Sequence, residues 1–431
     1  MRIALVSAVL LASAGSALAD AVVYAGTIGD LPVVVELTEP ADGAVVGRYS
    51  YLSKGIDIPL QARSSDGGEY VLAEEARCEP GLCTPNDDYV VPEPPIAGTW
   101  TLVPAEDGET LAGTWESGGK SLPISLERRG SRPLPDGVEV SPMGLHDSVL
   151  TQLMQSNTSF APETSPYDFL KMDVALEEGP IEELEGSRFR YVTDPRTKFK
   201  FPRVVSLSDG SDIGPANGAL ARGHARLNYF ALDCASQAYA GFGGNDSMLE
   251  MGAGTLGDFE YETVTLTYLS PRVMTWIEGG STFCANAHPN NHADTTMVDV
   301  RTGQPLALGR ILKDWEPTKS MIDYEPPADR EAALERPGDY FWTAGQPLID
   351  YAIAHREPSS DAAFEAECGV DALIASNLAF RFEPGDLLVF TLEGLPHVNY
   401  ACTQDLVTVP LAEIPELLAP EAADYFPGLA R

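Results

Sequence analysis

Residues 33–37 read Val33-Val34-Val35-Glu36-Leu37, and three similar short runs follow: Arg48-Tyr49-Ser50-Tyr51, Ile56-Asp57-Ile58-Pro59-Leu60 and Tyr70-Val71-Leu72. Period two dominates in this region, and Gly, Asp and Pro separate the runs. Side chains alternate between the two faces of a β-strand, so this period indicates strands rather than helices. We therefore predict an antiparallel all-β meander over residues 20–130, either a small up-and-down barrel or a sandwich.

A weak internal repeat supports this prediction. A glycine shortly precedes a strand aromatic in three places: Gly47-Arg48-Tyr49, Gly98-Thr99-Trp100 and Gly113-Thr114-Trp115. A ring often covers the gap that a glycine leaves where a strand bends. Small barrels are mostly filled by their own side chains, although some hold a ligand. We interpret Trp100 and Trp115 as packed core residues.

Charge excludes two classes of function. The chain has 431 residues, with 28 Lys and Arg against 64 Asp and Glu, and its net charge is −36. A nucleic-acid binder attracts phosphates with basic residues, so this class is excluded, and anionic lipid surfaces are excluded for the same reason. An acidic surface steers basic partners toward the protein, although the same surface also serves solubility alone.

The N-terminus has the parts of a secretory signal peptide. Arg2 supplies one positive charge before a mostly apolar run from Ile3 to Leu11, and Ala17-Leu18-Ala19 places small residues at a cleavage site. This run is too short to cross a bilayer core of about 30 Å. We predict cleavage after residue 19, a periplasmic or extracellular location, no lipid anchor and no membrane insertion of the mature chain.

The six cysteines all follow the predicted signal peptide, and an even number in an oxidising compartment indicates disulfides. Cys78 and Cys83 flank a Pro-Gly turn, which favours a local bridge. The other four allow three pairings. We favour Cys234–Cys284 and Cys368–Cys402 because both members of each pair fall within one run of elements. Close Cys and His clusters of the zinc-binding kind are missing, so we predict neither a metal site nor a cofactor.

The second half has a different pattern. Segment 131–142 is rich in proline without apolar periodicity, and we interpret it as a linker. Helical and strand patterns then mix without regular βαβ alternation, which predicts a disulfide-stabilised α+β domain over residues 143–431. Helices are predicted at 146–155, 180–185, 214–237, 347–355 and 411–418. Strands are predicted at 199–207, 259–268, 272–278, 295–300, 379–382, 387–392 and 406–409.

This half also carries an ordered set of motifs. Ala287-His288-Pro289-Asn290 is followed by a strand, by Asp299-Val300-Arg301-Thr302-Gly303 and by an apolar step at Leu306–Ile311. Together with the pattern of residues 377–418, this order resembles a bacterial extracytoplasmic domain of unknown function. That domain occurs as the lysozyme-binding sensor of certain anti-sigma factors and beside the catalytic domain of some peptidoglycan deacetylases. The resemblance covers about residues 145–420 and implies a lysozyme-sensor-like domain.

Two departures limit what the resemblance implies. Ala285 and Asn286 stand where the family's loop has paired glycines. We recognise neither the family's anti-sigma helix nor its transmembrane segment in the sequence. Signalling across a membrane is therefore not among the functions that we expect.

The loop of this motif supplies the candidate binding residues, which are Asn286, His288, Asn290, Asn291 and His292. His288 and His292 are four residues apart, and on a helix this spacing would place two imidazoles on one face as metal ligands. Pro289 and the asparagines favour a turn instead, in which the imidazoles bond to the backbone or contact a partner. Signatures of a nucleophile elbow, a metalloprotease helix or a phosphate loop are missing, so no catalytic residue is predicted.

Acidic residues are so frequent that pairs arise by chance. We interpret Glu177-Glu178 and Glu182-Glu183 as a solvated face. Ser208–Asp212 lacks the spacing and the final Glu of a calcium loop and is interpreted as a turn. A glycosidase needs two carboxylates at a set distance, one of them with a raised pKa, and a sequence shows neither property. Glycoside hydrolysis therefore stays open as an alternative.

Three functions remain in consideration. We favour a secreted, non-enzymatic cell-envelope protein that binds lysozyme or a peptidoglycan-derived ligand. The first alternative is an accessory or catalytic module in cell-wall carbohydrate modification, although the deacetylase Asp/His/His metal motif is missing from the sequence. The second is a structural interaction module of the envelope.

Overall fold

The computed structural model of the chain describes residues 20–40, 44–64, 68–155, 160–257, 261–285, 288–320, 325–326, 329–359 and 361–430. The predicted signal peptide and its cleavage site lie outside these residues.

Eight antiparallel strands form a closed barrel at the N-terminus. Each strand pairs with the next along the chain, and the first also pairs with the eighth. This last pairing decides between the two predicted architectures, so the barrel is confirmed and the sandwich is wrong. The strands are β1 (Asp20–Ile28), β2 (Leu31–Thr38), β3 (Gly47–Tyr51), β4 (Asp57–Ser64), β5 (Tyr70–Glu75), β6 (Ile96–Pro104), β7 (Thr110–Ser117) and β8 (Lys120–Pro133).

Side chains fill the interior of the barrel. Trp100 is fully buried there and packs edge-on against Tyr49, with ring centroids 4.8 Å apart. The indole nitrogens of Trp100 and Trp115 both donate to Oε2 of Glu74, at 2.9 and 2.7 Å. The interpretation as a packed core residue is confirmed for Trp100, and Trp115 is partly buried and packs against the same core.

One glycine of the repeat shows why its position is small. A Cβ on Gly98 would lie 2.9 Å from Nε1 of Trp115, so this ring covers the glycine on the neighbouring strand. A side chain at this position would push the indole away from Glu74. The aromatic cover expected from the sequence is therefore present at Gly98.

Buried ion pairs connect the barrel to the rest of the chain. Arg48 on β3 contacts Glu36 at 2.8 Å, Asp57 at 3.2 Å and Asp168 at 2.9 Å, and all four side chains are essentially inaccessible to solvent. Burial acts to raise the pKa of Asp57, but the positive charges of Lys171 and Arg48 bring it below its ordinary value. Three cations thus face three anions in what we call the ionic junction: Arg48, Arg132, Lys171, Glu36, Asp57 and Asp168.

The start of the predicted linker, residues 131–142, takes part in this junction as the end of the last barrel strand. Strand β8 continues beyond the predicted boundary at residue 130 and ends at Pro133. Within it, Arg132 contacts Glu36 at 2.7 Å and donates to the carbonyl of Leu145 at 2.8 Å. Leu134 is buried against Leu145. The start of segment 131–142 is therefore packed between the barrel and the first helix.

In the described residues of the C-terminal region, the chain forms helices and four smaller sheets. The sheet orders are β11-β10-β9, β12-β13-β14-β15, β16-β17 and β18-β19-β20. The helices are α1 (Pro142–Gln155), α2 (Pro166–Met172), α3 (Gly214–Ser236), α4 (Asp246–Glu250), α5 (Arg330–Glu335), α6 (Gln346–His355), α7 (Ala362–Cys368), α8 (Val370–Asn377) and α9 (Ala422–Tyr425). The strands are β9 (Glu177–Leu184), β10 (Ser187–Thr193), β11 (Lys200–Ser206), β12 (Thr263–Leu269), β13 (Val273–Thr282), β14 (Asn290–Asp299), β15 (Gln304–Pro305), β16 (Trp315–Thr318), β17 (Phe341–Ala344), β18 (Leu378–Glu383), β19 (Leu387–Leu392) and β20 (Gln404–Pro410).

The three predicted disulfides are all present: Cys78–Cys83, Cys234–Cys284 and Cys368–Cys402. The long helix expected at 214–237 is α3, and the three closing strands are β18, β19 and β20. The C-terminal region thus combines helices, sheets and disulfides as expected.

Two predicted helices are wrong. Residues 180–185 belong largely to β9, because Glu185 and Gly186 both have positive φ and form a tight hairpin turn into β10. The exposed acidic side chains of β9 agree with a solvated face, and Glu178 pairs with Arg190 across the hairpin. Residues 411–418 contain only a 3-10 turn at Leu411–Glu413, since Pro415 cannot continue a helix.

Candidate functional site

The motif residues lie at the start of β14 and just before it. We expected a turn through 292, but Asn290, Asn291 and His292 already belong to the strand and pair with Thr282, Ser281 and Gly280 of β13. The turn is therefore shorter than predicted, because β13 extends to Thr282 and gives these residues a partner. Asn286 lies outside the described residues.

His292 is held by a buried carboxylate. Its Nε2 lies 2.8 Å from Oε1 of Glu262, whose side chain is 1% exposed. Its Nδ1 lies 3.2 Å from the carbonyl of Asn290. The hydrogen bond to Glu262 raises the pKa of His292 to about 9, against the opposing effect of burial. At neutral pH the ring is thus an imidazolium that donates both of its protons.

A glycine gives Glu262 its room. Gly280 lies opposite His292 in the register of β13 and β14. A Cβ on Gly280 would lie 2.2 Å from Oε2 of Glu262, which is closer than atoms approach without displacement. A side chain at Gly280 would therefore move the carboxylate away from His292.

A second loop meets the motif. The rings of His288 and His397 stack with centroids 4.5 Å apart and planes 15° apart. The side-chain amide nitrogen of Asn291 lies 2.9 Å from Nδ1 of His397. Tyr400 donates its hydroxyl to the carbonyl of His292 at 3.2 Å. The structure thus brings His288, Asn291 and His292 together with His397 and Tyr400.

Both loops are fixed by disulfides. Cys284 lies four residues before His288 and is bonded to Cys234 near the end of α3. The 3-10 turn His397–Cys402 is bonded through its last residue to Cys368 at the end of α7. The two loops that supply the site are therefore each tied to a helix.

The neighbouring carboxylates are unevenly exposed. Glu278 accepts from the indole of Trp276 at 2.8 Å, and burial raises its pKa. Glu393 accepts from the backbone and hydroxyl of Thr295, at 3.1 and 2.8 Å, and burial raises its pKa as well. Asp294 is exposed on β14. Of these three carboxylates, Asp294 is the one exposed beside the histidines.

We call the exposed part of this site the histidine face: His288, Asn290, Asn291, His292, His397, Val398 and Tyr400. Val398 is 84% exposed at the tip of its turn. The face offers ring surfaces, an amide, imidazole N–H donors and one apolar side chain. Such a set is suited to non-covalent recognition, whereas His292 has no free ring nitrogen to act as a base while it pairs with Glu262.

Sequence reasoning missed Glu262, His397 and Tyr400. The one signal in the sequence that could have pointed to His397 is that histidine is rare in this chain. It has six histidines, and three of them lie at this site. Glu262 is one of 64 acidic residues and carries no signal of its own. Among the described residues, no group of three His, Cys, Asp or Glu side chains is arranged to hold a metal ion.

Comparison with known proteins gives no family, since no protein-family model and no curated protein sequence matches this chain. The resemblance to the extracytoplasmic sensor domain thus continues to depend on the motif residues alone. None of the helices in the described part of the chain has the length and apolarity needed to span a membrane.

Proposed function

We propose that the chain is a two-domain, extracytoplasmic binding protein that recognises a strongly basic protein such as a lysozyme through the histidine face. One observation carries this proposal: two loops from distant parts of the chain, each tied by a disulfide, meet at the stacked rings of His288 and His397. A face held in place before binding loses little entropy on association.

The charge supports a basic partner. At −36 the chain attracts cationic proteins over long range, and Asp294 provides an exposed carboxylate beside the face. Val398 and the imidazole rings supply the apolar and planar centre that protein interfaces commonly surround with polar groups. The expected complex has an apolar centre at Val398 and a rim of acidic groups against basic residues of the partner.

The test is isothermal titration of the purified protein with a basic lysozyme at about 50 and 300 mM salt, beside a cell-wall lysis assay. We expect saturable binding that is weaker but still present at the higher salt, and inhibition of lysis. If binding disappears at the higher salt, the interaction is only nonspecific charge attraction, and the proposal is wrong.

Matched variants locate the interface. Val398→Arg places a positive charge at the centre of the face and is expected to weaken lysozyme binding at least about tenfold. Val103→Arg makes the same change on strand β6 of the barrel, where Val103 is also exposed, and should leave the affinity unchanged. Equal loss in both variants would contradict the assignment of the histidine face.

A peptidoglycan fragment serves as the comparison ligand. If the protein binds soluble muropeptides and not lysozyme, with the same dependence on Val398, the face recognises glycan and the protein-partner assignment is wrong. Release of acetate or of reducing ends from the fragment would instead support the cell-wall-modifying alternative.

A further inference from the structure

A second site lies between α2, α3 and the sheet of β9, β10 and β11. It is a cleft of about 440 Å³, which lies within the size range of small-molecule sites in proteins. Its apolar wall consists of Phe160, Phe169, Met172, Val174 and Leu176. None of these residues belongs to the histidine face, so the cleft is a separate site.

Three arginines line the same cleft: Arg203 on β11 and Arg222 and Arg226 on α3. In the part of the chain that the structure describes, no carboxylate oxygen lies within 4.0 Å of any of the three guanidinium groups. This contrasts with the ionic junction, where every buried cation contacts a carboxylate. The positive charge of the cleft is thus not neutralised by ion pairs.

Arg203 is the most buried of these cations. It donates to the carbonyl of Pro202 at 2.8 Å and to Nδ1 of His224 at 3.2 Å. Burial lowers its pKa to about 10, so it still carries a positive charge at neutral pH. Neutral partners alone compensate a partly desolvated guanidinium poorly, and an anion compensates it much better.

His224 serves as an uncharged support. Burial, followed by the charge of Arg203, lowers its pKa to about 4. The ring stacks on Phe201, with centroids 5.3 Å apart. Since His224 stays neutral, Nδ1 accepts the hydrogen bond from Arg203 and fixes the guanidinium without cancelling its charge.

The acidic residues of the cleft do not neutralise the positive charge of its arginines. Asp194 is already bound by Arg196, whose Nη2 lies 2.7 Å from Oδ2, and its pKa is lowered by this pairing in spite of burial. Asp173 lines the cleft and is exposed to solvent. Arg222 donates to the carbonyl of Gly303 at 2.5 Å and Arg226 lies over the ring of Phe230, so Arg203 is the arginine of the cleft whose charge is most in need of an anion.

We propose that this cleft binds a small organic anion: a carboxylate with an apolar body, whose carboxylate pairs with Arg203 and whose body lies against Phe160, Phe169 and Met172. The cleft provides an apolar wall of the right size and an unneutralised guanidinium in one place. Arg222 and Arg226 add positive charge along the α3 side and favour entry of the anion in a chain that otherwise repels it.

The experiment titrates the purified protein with decanoate and with 4-phenylbutyrate, and uses decanol and decylamine as uncharged and cationic counterparts of decanoate. We expect saturable binding of at least one carboxylate and at least about tenfold weaker binding of decanol, since the alcohol cannot form the charge-assisted hydrogen bonds. Decylamine should not bind. Absence of saturable binding for both carboxylates, or equal affinity for decanol and decanoate, overturns the proposal.

Two variants and a matched control assign the site. Arg203→Gln should weaken carboxylate binding at least about tenfold. Arg188→Gln removes an exposed arginine from the neighbouring strand β10 and should leave binding unchanged. Ala225→Leu narrows the cleft from α3 at a position that tolerates leucine in a helix, and should also abolish binding while the circular dichroism spectrum stays unchanged. Full affinity in both cleft variants overturns the proposal.

Discussion

Nε2 of His292 lies 2.8 Å from Oε1 of Glu262, and the pair joins β14 to the residue just before β12 across Gly280 of β13. The carboxylate is buried, so the imidazolium provides its compensating charge. The pair therefore links the histidine face to the stability of the sheet beneath it, and both depend on whether His292 carries its proton.

Stability should depend on pH through this pair. The pKa of His292 is raised to about 9 in the folded chain, against about 6.5 when unfolded. The stabilising contribution is therefore complete below about pH 6.5 and is lost as pH rises through about 9. We expect the difference in unfolding free energy between the wild type and His292→Asn to shrink by on the order of 2 kcal/mol between pH 6 and pH 10, as measured by urea denaturation. A constant difference would show that the contact with Glu262 does not stabilise the protonated form of His292.

Gly280→Ala should break the same pair sterically. The added Cβ lies 2.2 Å from Oε2 of Glu262, so the carboxylate has to move. We expect a loss of about 1–3 kcal/mol in urea denaturation and a lower pKa of His292 by NMR titration. Gly279→Ala is the matched control, because its Cβ meets the carbonyl oxygen of His292 at an ordinary 3.6 Å. Similar losses in both variants would mean that strand β13 is sensitive to any side chain there.

Removing Glu36 should destabilise the connection between the barrel and the helices. Glu36→Gln leaves Arg48 and Arg132 with less compensation in a fully buried position. We expect a loss of about 3–5 kcal/mol in chemical denaturation. Glu127→Gln, which breaks the exposed pair with Arg129, should cost at most about 1 kcal/mol. A small effect of Glu36→Gln would show that the junction contributes little to stability.

Local patterns predicted the elements that depend on local chemistry. The alternation of apolar residues predicted the strands of the barrel, and the long apolar pattern predicted α3. Both predictions succeed because the periodicity of buried side chains is visible within the sequence of a single strand or helix. Strand β9 was missed since its glutamates favour a helix in isolation, while the turn at Glu185 and Gly186 imposes a hairpin. The two-residue turn was the stronger signal in that segment.

The site was predicted only where residues are close in sequence. His288, Asn291 and His292 follow from one motif, whereas His397 joins them from 106 residues beyond Asn291. Arg203 and Arg222 meet at one cleft because β11 packs on α3, which no local pattern shows. The ionic junction was missed for the same reason, since Arg48 and Asp168 are 120 residues apart.

The disulfide that holds His397 should contribute more to stability than the local one near the barrel. Cys368 and Cys402 are 34 residues apart, and Cys78 and Cys83 only 5. A longer closed loop restricts the unfolded chain more, so replacing the first pair by alanine should cost about 1–2 kcal/mol more than replacing the second. Urea denaturation of the two double-alanine variants measures this difference. Only the first variant should also weaken binding at the histidine face, since the turn that carries His397 is then released from α7. Equal stability losses together with unchanged binding in both variants would show that packing alone holds this turn in place.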